Sequence, residues 1–369
     1  MEYEVTCTAC GKPSTNLIDY KCPACGKPLT IKLHRKFDLT QIRNKTCSLW
    51  RYSAFFPYAK EENVVTLGEG WTPLVKFTSN VYFKLESLNP TGSFKDRGST
   101  TQISALHKHV KDNNGYISED SSGNAGASIA AYAARAGLKA KIYVPKTVSG
   151  PKLRQIQFYG AEVAEIEGSR TKVSEEAQKP ERSKFYVGHV LHPLFRDGIR
   201  SLAYETAEQL AWQAPDQIYL PASAGTLLLG VLSGFNHLVE SRILKKTPRI
   251  VACQTRQVSP LYHHFNNLHY EPPKRVTSIA DALLSTNPPL LELMTKQLRN
   301  AKGETLIVEE SEILDAFKEL AKHGFLVEPS SAVAYAAYKK QIQNKETAKT
   351  DNTVIILTGN GLKTTLTPS

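Results

Sequence analysis

The sequence contains no run of about 18 apolar residues, the length that a membrane-spanning helix needs. Residues 1–4 include two acids and lead into no apolar stretch, so we expect no secretory signal and a cytoplasmic protein. Repeats and low-complexity segments are also absent, and the apolar share of 41% and the charged share of 22% are typical of globular proteins. This composition excludes a disordered chain, a collagen-like chain and a coiled-coil rod. The 369 residues suffice for two or three domains without disulfides.

Acidic residues are the scarcer charged class, with 35 Asp and Glu against 46 Lys and Arg, which gives a net charge of +11. Residues 1–60 hold ten basic and four acidic side chains, so much of the excess lies at the N-terminal end. A basic surface attracts anionic partners, either a nucleic acid or a small anionic substrate. Aromatic residues are only weakly interleaved with basic ones there, and the motifs below favour a small anionic amino acid over nucleic acid.

Cysteine is sparse, yet four of the six cysteines form a pattern. Two residues separate Cys7 from Cys10 and Cys22 from Cys25, and eleven residues separate the two pairs. Each pair can present two thiolates from one tight turn, and two such turns complete a tetrahedral zinc site. We therefore predict a zinc ribbon with a structural Zn. The alternatives are disulfides or a ribbon without metal.

From Val81 onward, short apolar segments alternate with segments of helical period. This alternation predicts a mostly parallel sheet covered by helices on both faces. Because it runs through two consecutive sets, we predict an α/β fold with two doubly wound parallel-sheet lobes and a cleft between them, plus a small N-terminal zinc ribbon. The predicted divisions are a zinc-ribbon-like head at 1–33, a connector at 34–80, a smaller lobe at 81–188 and a larger lobe at 189–369.

A lysine follows a loop of small residues in the stretch 89–98, which reads NPTGSFKDRG. We predict that Lys95 stands at the start of a helix, where the helix dipole disfavours a cation and lowers the pKa of the amine. A lysine with a lowered pKa is suited to Schiff-base chemistry with a carbonyl compound. For a single lysine, the alternative is an ordinary solvated side chain.

Three further loops stand where predicted strands end. Residues 121–126 (SSGNAG) open an alanine-rich helix, whose free N–H groups can bind a carboxylate or a phosphate. Residues 222–226 (ASAGT) allow backbone N–H groups to approach a phosphate, yet they match neither the Walker loop nor the G-x-G-x-x-G dinucleotide pattern. Residues 357–363 (LTGNGLK) place a hydroxyl at the carboxyl end of a strand, the edge where α/β sheets bind ligands.

In chain order, the segments LGEGWTPL (67–74), NPTGSFKDRG, SSGNAG, ASAGT and LTGNGLK resemble those of threonine synthases. These enzymes belong to the fold type II pyridoxal-phosphate family, which is related to the tryptophan synthase β chain. The resemblance covers about residues 64–362, and NPTGSFKDRG is specific for the fold type. A cysteine-bearing head also occurs in some relatives. The resemblance implies a lyase that binds pyridoxal 5′-phosphate in the cleft between its lobes.

The resemblance also implies roles for individual residues. Lys95 would bind the cofactor as a Schiff base and then serve as the catalytic base. Phe94 and the turn at 328–331 would flank the cofactor ring, Asn124 would bond the ring oxygen, and Thr358 would face the pyridine nitrogen. The cofactor phosphate would be held by the backbone of Ala222, Ser223, Ala224, Gly225 and Thr226. The substrate carboxylate would be received by Ser121, Ser122 and Gly123.

One segment departs from the family pattern. Where threonine synthases typically read N-P-x-R-x-E-G-x-K-T, residues 192–201 read HPLFRDGIRS, so the arginine is displaced by one position and His192 replaces the asparagine. We predict that Arg196 and Arg200 bind the substrate phosphate, because a guanidinium donates two parallel hydrogen bonds to it. His189 and His192 could be catalytic histidines, but we interpret each as a structural polar residue.

The implied reaction converts O-phospho-L-homoserine and water into L-threonine and phosphate, a step of threonine biosynthesis, and we expect a homodimer. The departure at 192–201 leaves other reactions open. A related enzyme could act on phosphoserine as cysteate synthases do, or it could dehydrate threonine or serine with the same cofactor residues. Outside this class, the basic ribbon could bind nucleic acid, or the chain could bind the cofactor without turnover.

Overall fold

The computed structural model describes residues 2–348 and 350–364, which form two compact units. The first unit comprises the residues up to Gly70 together with Asn89–Ile199. The second comprises Trp71–Leu88 together with Arg200–Thr364. The extreme ends of the predicted head and of the predicted larger lobe, residue 1 and residues 365–369, lie outside the described residues.

The first unit begins with a small antiparallel sheet in the order β2-β1-β3. Its strands are β1 (Tyr3–Cys7), β2 (Pro13–Ser14) and β3 (Leu29–Leu33). Two turns of the same form interrupt the strands, and each ends at a glycine with φ of 70°, Gly11 or Gly26. The N–H of each glycine donates to the carbonyl of the first cysteine of its pair, at 3.2 Å to Cys7 and 2.8 Å to Cys22. Only glycine adopts this left-handed backbone without strain, so the Gly-Lys-Pro after each cysteine pair shapes the turn.

Residues 34–70 complete the start of the first unit with short 3-10 turns and a cluster of buried aromatic side chains. Phe37 stacks on Phe55 with ring centroids 4.1 Å apart, and the indole N–H of Trp50 donates to Glu69 and Thr100, at 3.0 Å each. The chain then enters the second unit for two short strands, β4 (Leu74–Lys76) and β5 (Val81–Leu85).

The rest of the first unit is a parallel sheet with helices. The sheet order is β8-β7-β6-β9, and every pairing in it is parallel. Gly137, with φ of 64°, ends the alanine-rich helix α2 as its sequence predicts. The elements are α1 (Lys95–Asp112), β6 (Tyr116–Glu119), α2 (Asn124–Ala136), β7 (Lys139–Pro145), α3 (Pro151–Phe158), β8 (Glu162–Ile166), α4 (Arg170–Gln178), β9 (Lys184–Tyr186) and α5 (Pro193–Ile199).

The second unit is built on a six-stranded sheet in the order β12-β11-β10-β13-β5-β4, in which only the edge pair β4–β5 is antiparallel. Every residue of β10 and β13 is buried, as expected for central strands covered on both faces. The new elements are α6 (Ser201–Gln209), β10 (Gln217–Pro221), α7 (Thr226–Glu240), β11 (Arg249–Thr255), α8 (Pro260–Phe265), α9 (Leu291–Asn300), β12 (Glu304–Val308), α10 (Glu310–Lys322), α11 (Pro329–Gln343) and β13 (Thr353–Leu357).

The α/β class with parallel sheets is confirmed, while the unit boundaries differ from the predicted divisions. The predicted smaller lobe at 81–188 includes β5, but β5 pairs in parallel with β13 and so lies in the second unit. The predicted larger lobe starts at 189, but α5 belongs to the first unit. Phe195 of α5 packs so closely on α1 that a Cβ added at Gly98 would lie 2.5 Å from its ring. In the part of the chain that the structure describes, no helix combines the length and apolarity needed to cross a membrane.

Candidate active site

Lys95 is the first residue of α1, and the loop before it is held by the carboxylate of the next residue. Asp96 is fully buried and accepts hydrogen bonds from the N–H and the hydroxyl of Thr91, at 2.7 and 2.5 Å, and from the hydroxyl of Ser128 at 2.6 Å. Burial raises the pKa of Asp96 to about 6, although these hydrogen bonds oppose the rise. The carboxylate thereby fixes the turn from which Lys95 projects.

Two aromatic rings lie beside the Lys95 amine. Its Nζ is 4.5 Å from the ring centroid of Phe94 and 6.0 Å from that of Phe195, distances at which a cation is attracted by an aromatic ring face. Phe195 is fully buried. The amine therefore stands at a helix start, as the sequence predicts, with apolar surface on its flanks.

A histidine–carboxylate pair lies near Lys95 at the end of β6. Glu119 is fully buried and accepts a hydrogen bond from the backbone N–H of His189 at 3.0 Å, while its other oxygen is 2.6 Å from Nδ1 of His189. Burial raises the pKa of Glu119 well above its ordinary value. Burial, followed by the positive charge of Lys95, lowers the pKa of His189 well below its ordinary value. Both shifts disfavour charge on these two groups, which lie within hydrogen-bond distance of each other.

The SSGNAG loop connects β6 to α2 and requires its second glycine. A Cβ at Gly126 would lie 1.9 Å from the carbonyl oxygen of Ser121, so no other residue fits this turn. The N–H of Gly123 donates to the Ser121 hydroxyl at 3.3 Å, and Asn124 is the first residue of the helix. The loop therefore follows the carboxyl end of a parallel strand and leads into the N-terminus of a 13-residue helix, the arrangement that binds anions.

In the second unit, the ASAGT loop runs from β10 into α7. Gly225 has φ of 102°, and a Cβ there would lie 2.7 Å from the sulfur of Met294. Glycine is therefore required both by the backbone and by the neighbouring side chain. The first hydrogen bond of α7 joins the N–H of Leu229 to the carbonyl of Gly225, so the helix N-terminus faces this loop of small residues. Such a loop can receive a phosphate on its backbone N–H groups.

Thr358 follows β13, the neighbour of β10 in the sheet. Its hydroxyl is 2.9 Å from the hydroxyl of Ser331, which accepts a hydrogen bond from the N–H of Gly359 at 2.8 Å. The N–H of Glu328 donates to the carbonyl of Gly359 at 2.9 Å. The second unit therefore brings Thr358 together with the turn at 328–331, and both lie at the same sheet edge as the ASAGT loop.

Comparison with known proteins identifies the family. A family model of pyridoxal-phosphate dependent enzymes matches residues 65–359, which is most of the chain. The chain belongs to this family of pyridoxal-phosphate dependent enzymes. The resemblance drawn from the sequence motifs is thereby confirmed.

Curated relatives in this family include threonine synthases. That of Methanocaldococcus jannaschii is 31% identical over 336 residues, which cover 88% of this chain and 82% of that protein. That of Halalkalibacterium halodurans is 32% identical over 331 residues, which cover 86% of this chain and 90% of that protein.

Among solved structures, threonine deaminase isoform 2 from Solanum lycopersicum matches with a TM-score of 0.69 at 20% identity, covering 88% of this chain and 86% of that one. Maize serine racemase matches with a TM-score of 0.67 at 23% identity, covering 89% and 94%. These two likenesses show the shared fold alone.

The residues of each unit fit the chemistry of a pyridoxal-phosphate dependent enzyme. In the first unit, Lys95 offers an amine on a rigid helix start beside aromatic surface. In the second unit, the glycine-containing loop at a helix N-terminus suits a phosphate, and Thr358 offers a neutral hydroxyl at a strand end. A neutral hydroxyl, in contrast to a carboxylate, leaves a pyridine nitrogen mostly unprotonated.

The structure gives Arg196 a role different from the predicted one. Arg196 is buried, and its Nη1 donates to the carbonyls of Val190 at 2.7 Å and Leu191 at 2.8 Å. Its Nη2 donates to the carbonyl of Leu29 in the N-terminal sheet. The guanidinium is thus committed to three main-chain carbonyls and is not presented to a substrate phosphate. Burial lowers the pKa of Arg196 to about 10, and the group remains a cation at neutral pH.

Arg200 is also buried, at the N-terminal boundary of α6 in the second unit. A Cβ at Gly234 would lie 3.0 Å from its Cγ, and its Cζ is 6.0 Å from the ring centroid of Tyr204. Its side-chain stem therefore packs against α7. A phosphate-binding role for Arg200 stays a prediction.

The four cysteines of the N-terminal pattern lie together. Their sulfur atoms are all within 4.8 Å of one another, with separations of 3.4 Å for Cys7–Cys25, 3.7 Å for Cys10–Cys22 and 3.6 Å for Cys10–Cys25. Four thiolates at about 2.3 Å from one zinc would stand about 3.8 Å apart at the corners of a tetrahedron. The N–H groups of Ala9 and Cys10 donate to the Cys7 sulfur, at 3.4 Å each. The set therefore fits a closed four-thiolate zinc site.

Sequence reasoning missed the Glu119–His189 pair and the support that Asp96 gives to the lysine loop. Glu119 and Asp120 are two acids placed directly after a predicted strand, at the sheet edge where ligands bind. That position was a usable signal for Glu119. Asp96 had no such signal, because an acid after Lys95 reads equally well as a favourable first-turn residue of the helix.

Proposed function

We propose that this chain is a pyridoxal-phosphate-dependent threonine synthase that converts O-phospho-L-homoserine and water into L-threonine and phosphate. One observation carries the proposal. Threonine synthases at 31–32% identity align over 86–88% of this chain, well beyond the short cofactor motifs. The similarity therefore extends beyond the cofactor motifs, and this extent supports a threonine-synthase-like activity.

The residue roles in this proposal follow from the chemistry of each side chain. Lys95 holds the cofactor and moves the proton at the substrate α carbon, since an amine freed at a helix start beside aromatic surface is a competent base. Phe94 would flank the ring, and Asn124 would bond the ring oxygen. The bound cofactor supplies an electron sink for the negative charge that develops at the α carbon.

The remaining cofactor and substrate contacts use neutral donors. The backbone of residues 222–226 would hold the cofactor phosphate, and the Thr358 hydroxyl would face the pyridine nitrogen. The SSGNAG loop receives the substrate carboxylate on the N–H groups at the start of α2. Because Ser121 is buried and bonded within the loop, these donors are oriented before substrate arrives.

The proposal includes one structural zinc bound by Cys7, Cys10, Cys22 and Cys25. The sulfur separations and the donor set support it, because four thiolates favour zinc and close its coordination sphere. With no open position, this zinc has a structural role and takes no part in the reaction.

A dehydratase acting on threonine or serine is the second candidate, and a specific observation favours it. Arg196, the arginine nearest in sequence to the family's phosphate-binding position, donates to three main-chain carbonyls. Phe195 occupies the position at which the family pattern has its arginine. A substrate without a phosphate would need no guanidinium at this segment.

Product analysis separates the candidates. The holoenzyme is offered O-phospho-L-homoserine, O-phospho-L-serine and L-threonine separately, and phosphate and organic products are measured. We expect threonine and phosphate in equal amounts from O-phospho-L-homoserine. Phosphate from phosphoserine alone would replace this proposal with a β-replacement enzyme, and a keto acid from threonine alone would replace it with a dehydratase.

Lys95→Ala is the matched variant for the cofactor role. It should keep the circular dichroism of the wild type and lose turnover by about a hundredfold or more, the contribution of a positioned proton-transfer group. Borohydride should fix the cofactor on Lys95 in the wild type. Fixation on another lysine would contradict the assignment.

A further inference from the structure

The N-terminal sheet of β1, β2 and β3, here called the cysteine sheet, is joined by hydrogen bonds to the backbone just before α5. Arg196 donates to the carbonyl of Leu29 in β3 and to the carbonyls of Val190 and Leu191. Leu29 is fully buried and lies opposite Cys7 in the β1–β3 register. One buried guanidinium therefore joins β3, the strand that pairs with the one carrying Cys7, to the backbone next to His189.

Two further contacts reinforce this tie. The Tyr58 hydroxyl donates to Asp197 at 2.7 Å, and the Tyr58 ring meets that of Tyr3, in β1, edge-on at 5.8 Å. Tyr20, two residues before Cys22, also contacts the rest of the first unit, since its ring meets that of Tyr186 in β9 edge-on at 4.7 Å.

The Tyr20 contact leads toward the SSGNAG loop. The hydroxyl of Tyr186 donates at 2.7 Å to Asp120, the residue immediately before Ser121. The N-terminal residues Tyr3 and Tyr20 thus contact two tyrosines, Tyr58 and Tyr186, whose hydroxyls donate to Asp197 and Asp120.

The segment held by Arg196 carries Phe195, which lies near Lys95, and His189, which contacts Phe195. The Phe195 ring lies 6.0 Å from the Lys95 amine and packs on Gly98 of α1. The ring of His189 meets Phe195 edge-on at 5.7 Å and is held by Glu119. A shift of this segment would therefore move both Phe195 and His189 relative to the amine.

We propose that the zinc ribbon positions the Lys95 region, with Arg196 as the positioning residue that couples metal binding to Phe195 and His189. The inference rests on the proposed zinc site and enzymatic function. The ribbon holds the Leu29 carbonyl only while its two cysteine turns are fixed. When the metal leaves, the buried guanidinium loses an acceptor, and a buried charged donor without its acceptor is strongly destabilising. The segment at 188–199 relaxes in response.

Coupling of this kind is reciprocal, so it can be measured from both ends. Zinc removal should loosen the segment at 188–199, and loss of the Arg196 donors should weaken zinc retention. The first measurement is hydrogen exchange on the holoenzyme before and after treatment with a zinc chelator. We expect amides in 188–199 to exchange about ten- to a hundredfold faster after zinc removal, and amides of β10 and β13 in the second unit to be unchanged.

The second measurement compares variants. Arg196→Met keeps the length of the side chain without its donors, and Tyr58→Phe removes one hydroxyl if the first variant does not fold. Arg43→Met is the control, because Arg43 is another N-terminal arginine whose pair with Glu61, at 2.7 Å, is exposed. We expect zinc release to a chromophoric chelator to be about tenfold faster in Arg196→Met than in the wild type. The increase should be smaller in Tyr58→Phe, and the rate should be unchanged in Arg43→Met.

Kinetics and the cofactor spectrum give the functional readout. Arg196→Met should lower kcat about ten- to a hundredfold and shift the absorbance of the Lys95-bound cofactor, with a smaller effect on KM. Unchanged exchange at 188–199 after zinc removal, or zinc retention by Arg196→Met equal to that of the wild type, would overturn the inference, as would failure of the chain to bind added zinc. Exchange and zinc release need no turnover, so their coupling would stand even if none of the three proposed substrates reacted.

Discussion

Buried carboxylates organise the loops around the sequence motifs. In the first unit, Glu69 is fully buried and accepts hydrogen bonds from the Trp50 indole at 3.0 Å, the N–H of Leu67 at 2.9 Å and the hydroxyl of Tyr132 at 2.6 Å. Each of these hydrogen bonds offsets the free-energy cost of burying the polar groups that form it. Glu69 therefore supports the turn of the LGEGWTPL segment.

A second acid does the same for the other half of that segment. Glu205 in the second unit is fully buried, forms an ion pair with Lys84, and accepts hydrogen bonds from the N–H groups of Trp71 at 2.6 Å and Thr72 at 2.7 Å. The side chain that satisfies these N–H groups lies more than 130 residues later in the chain. Spacing alone could therefore not show that this part of the motif is structural.

Burial of His192 makes the free energy of unfolding depend on pH below neutrality. Its Nδ1 accepts the N–H of Leu194 at 3.4 Å, and its buried Nε2 has no hydrogen-bond partner among the described residues. Burial, followed by the charge of Arg196, lowers the pKa of His192 to about 3. The folded protein therefore binds this proton less readily than the unfolded chain, whose histidine has a pKa of about 6.5. Stability from His192 is complete above pH 6.5 and is lost as the pH falls toward 3.

We predict that the contribution of His192 to the free energy of unfolding falls by about 2 kcal/mol between pH 7.5 and pH 5. Urea unfolding of wild type and His192→Asn at the two pH values measures it, because the difference between the two proteins cancels contributions from Asp96 and other buried acids. Asn can still accept the N–H of Leu194 and does not titrate. The exposed His269→Asn serves as control. Equal losses in all three proteins would show that His192 does not titrate in this range.

At the scale of elements, local patterns predicted which segments are strands and helices, but not every partner. The alternation at Val81–Leu85 indicates a strand. Its neighbour in the sheet, β13, begins only at Thr353, and no local sequence signal predicts this pairing. The cysteine ribbon was predictable because its residues are close in sequence and its glycines shape each turn. Arg196 was misassigned because its acceptor is the distant carbonyl of Leu29.

Zinc in the ribbon is testable by metal analysis. The purified protein should contain about one zinc per chain, and a Cys7→Ser, Cys22→Ser double variant should lose it, because removing two thiolates leaves an incomplete coordination sphere. Cys47→Ser, at an exposed cysteine outside the cluster, should keep the metal. The cofactor should remain bound to Lys95 in both proteins. A zinc content unaffected by the double change would place the metal elsewhere.

At the scale of the whole molecule, the chain carries a net charge of +11, to which residues along its whole length contribute. Among the described residues, basic side chains of 1–60 form the ion pairs Lys32–Glu4, Arg35–Glu2 and Arg43–Glu61. These pairs reduce the field of the N-terminal segment that had suggested a nucleic-acid binder. The excess across the chain remains and suits a small anion, for which no extended basic surface is needed.

The salt dependence of kcat/KM tests whether the excess positive charge of the protein attracts its substrate. O-phospho-L-homoserine carries a phosphate with a charge of about −1.5 to −2 at neutral pH, whereas L-homoserine lacks it. The Debye length falls from about 30 Å at 0.01 M salt to about 10 Å at 0.1 M, so attraction by the protein's charge weakens over this range. We expect kcat/KM for the phosphorylated substrate to fall severalfold between these concentrations, while inhibition by L-homoserine stays constant. An equal fall for both ligands would mean that salt acts on the protein itself, and no fall for either would mean that the basic excess does not serve substrate capture.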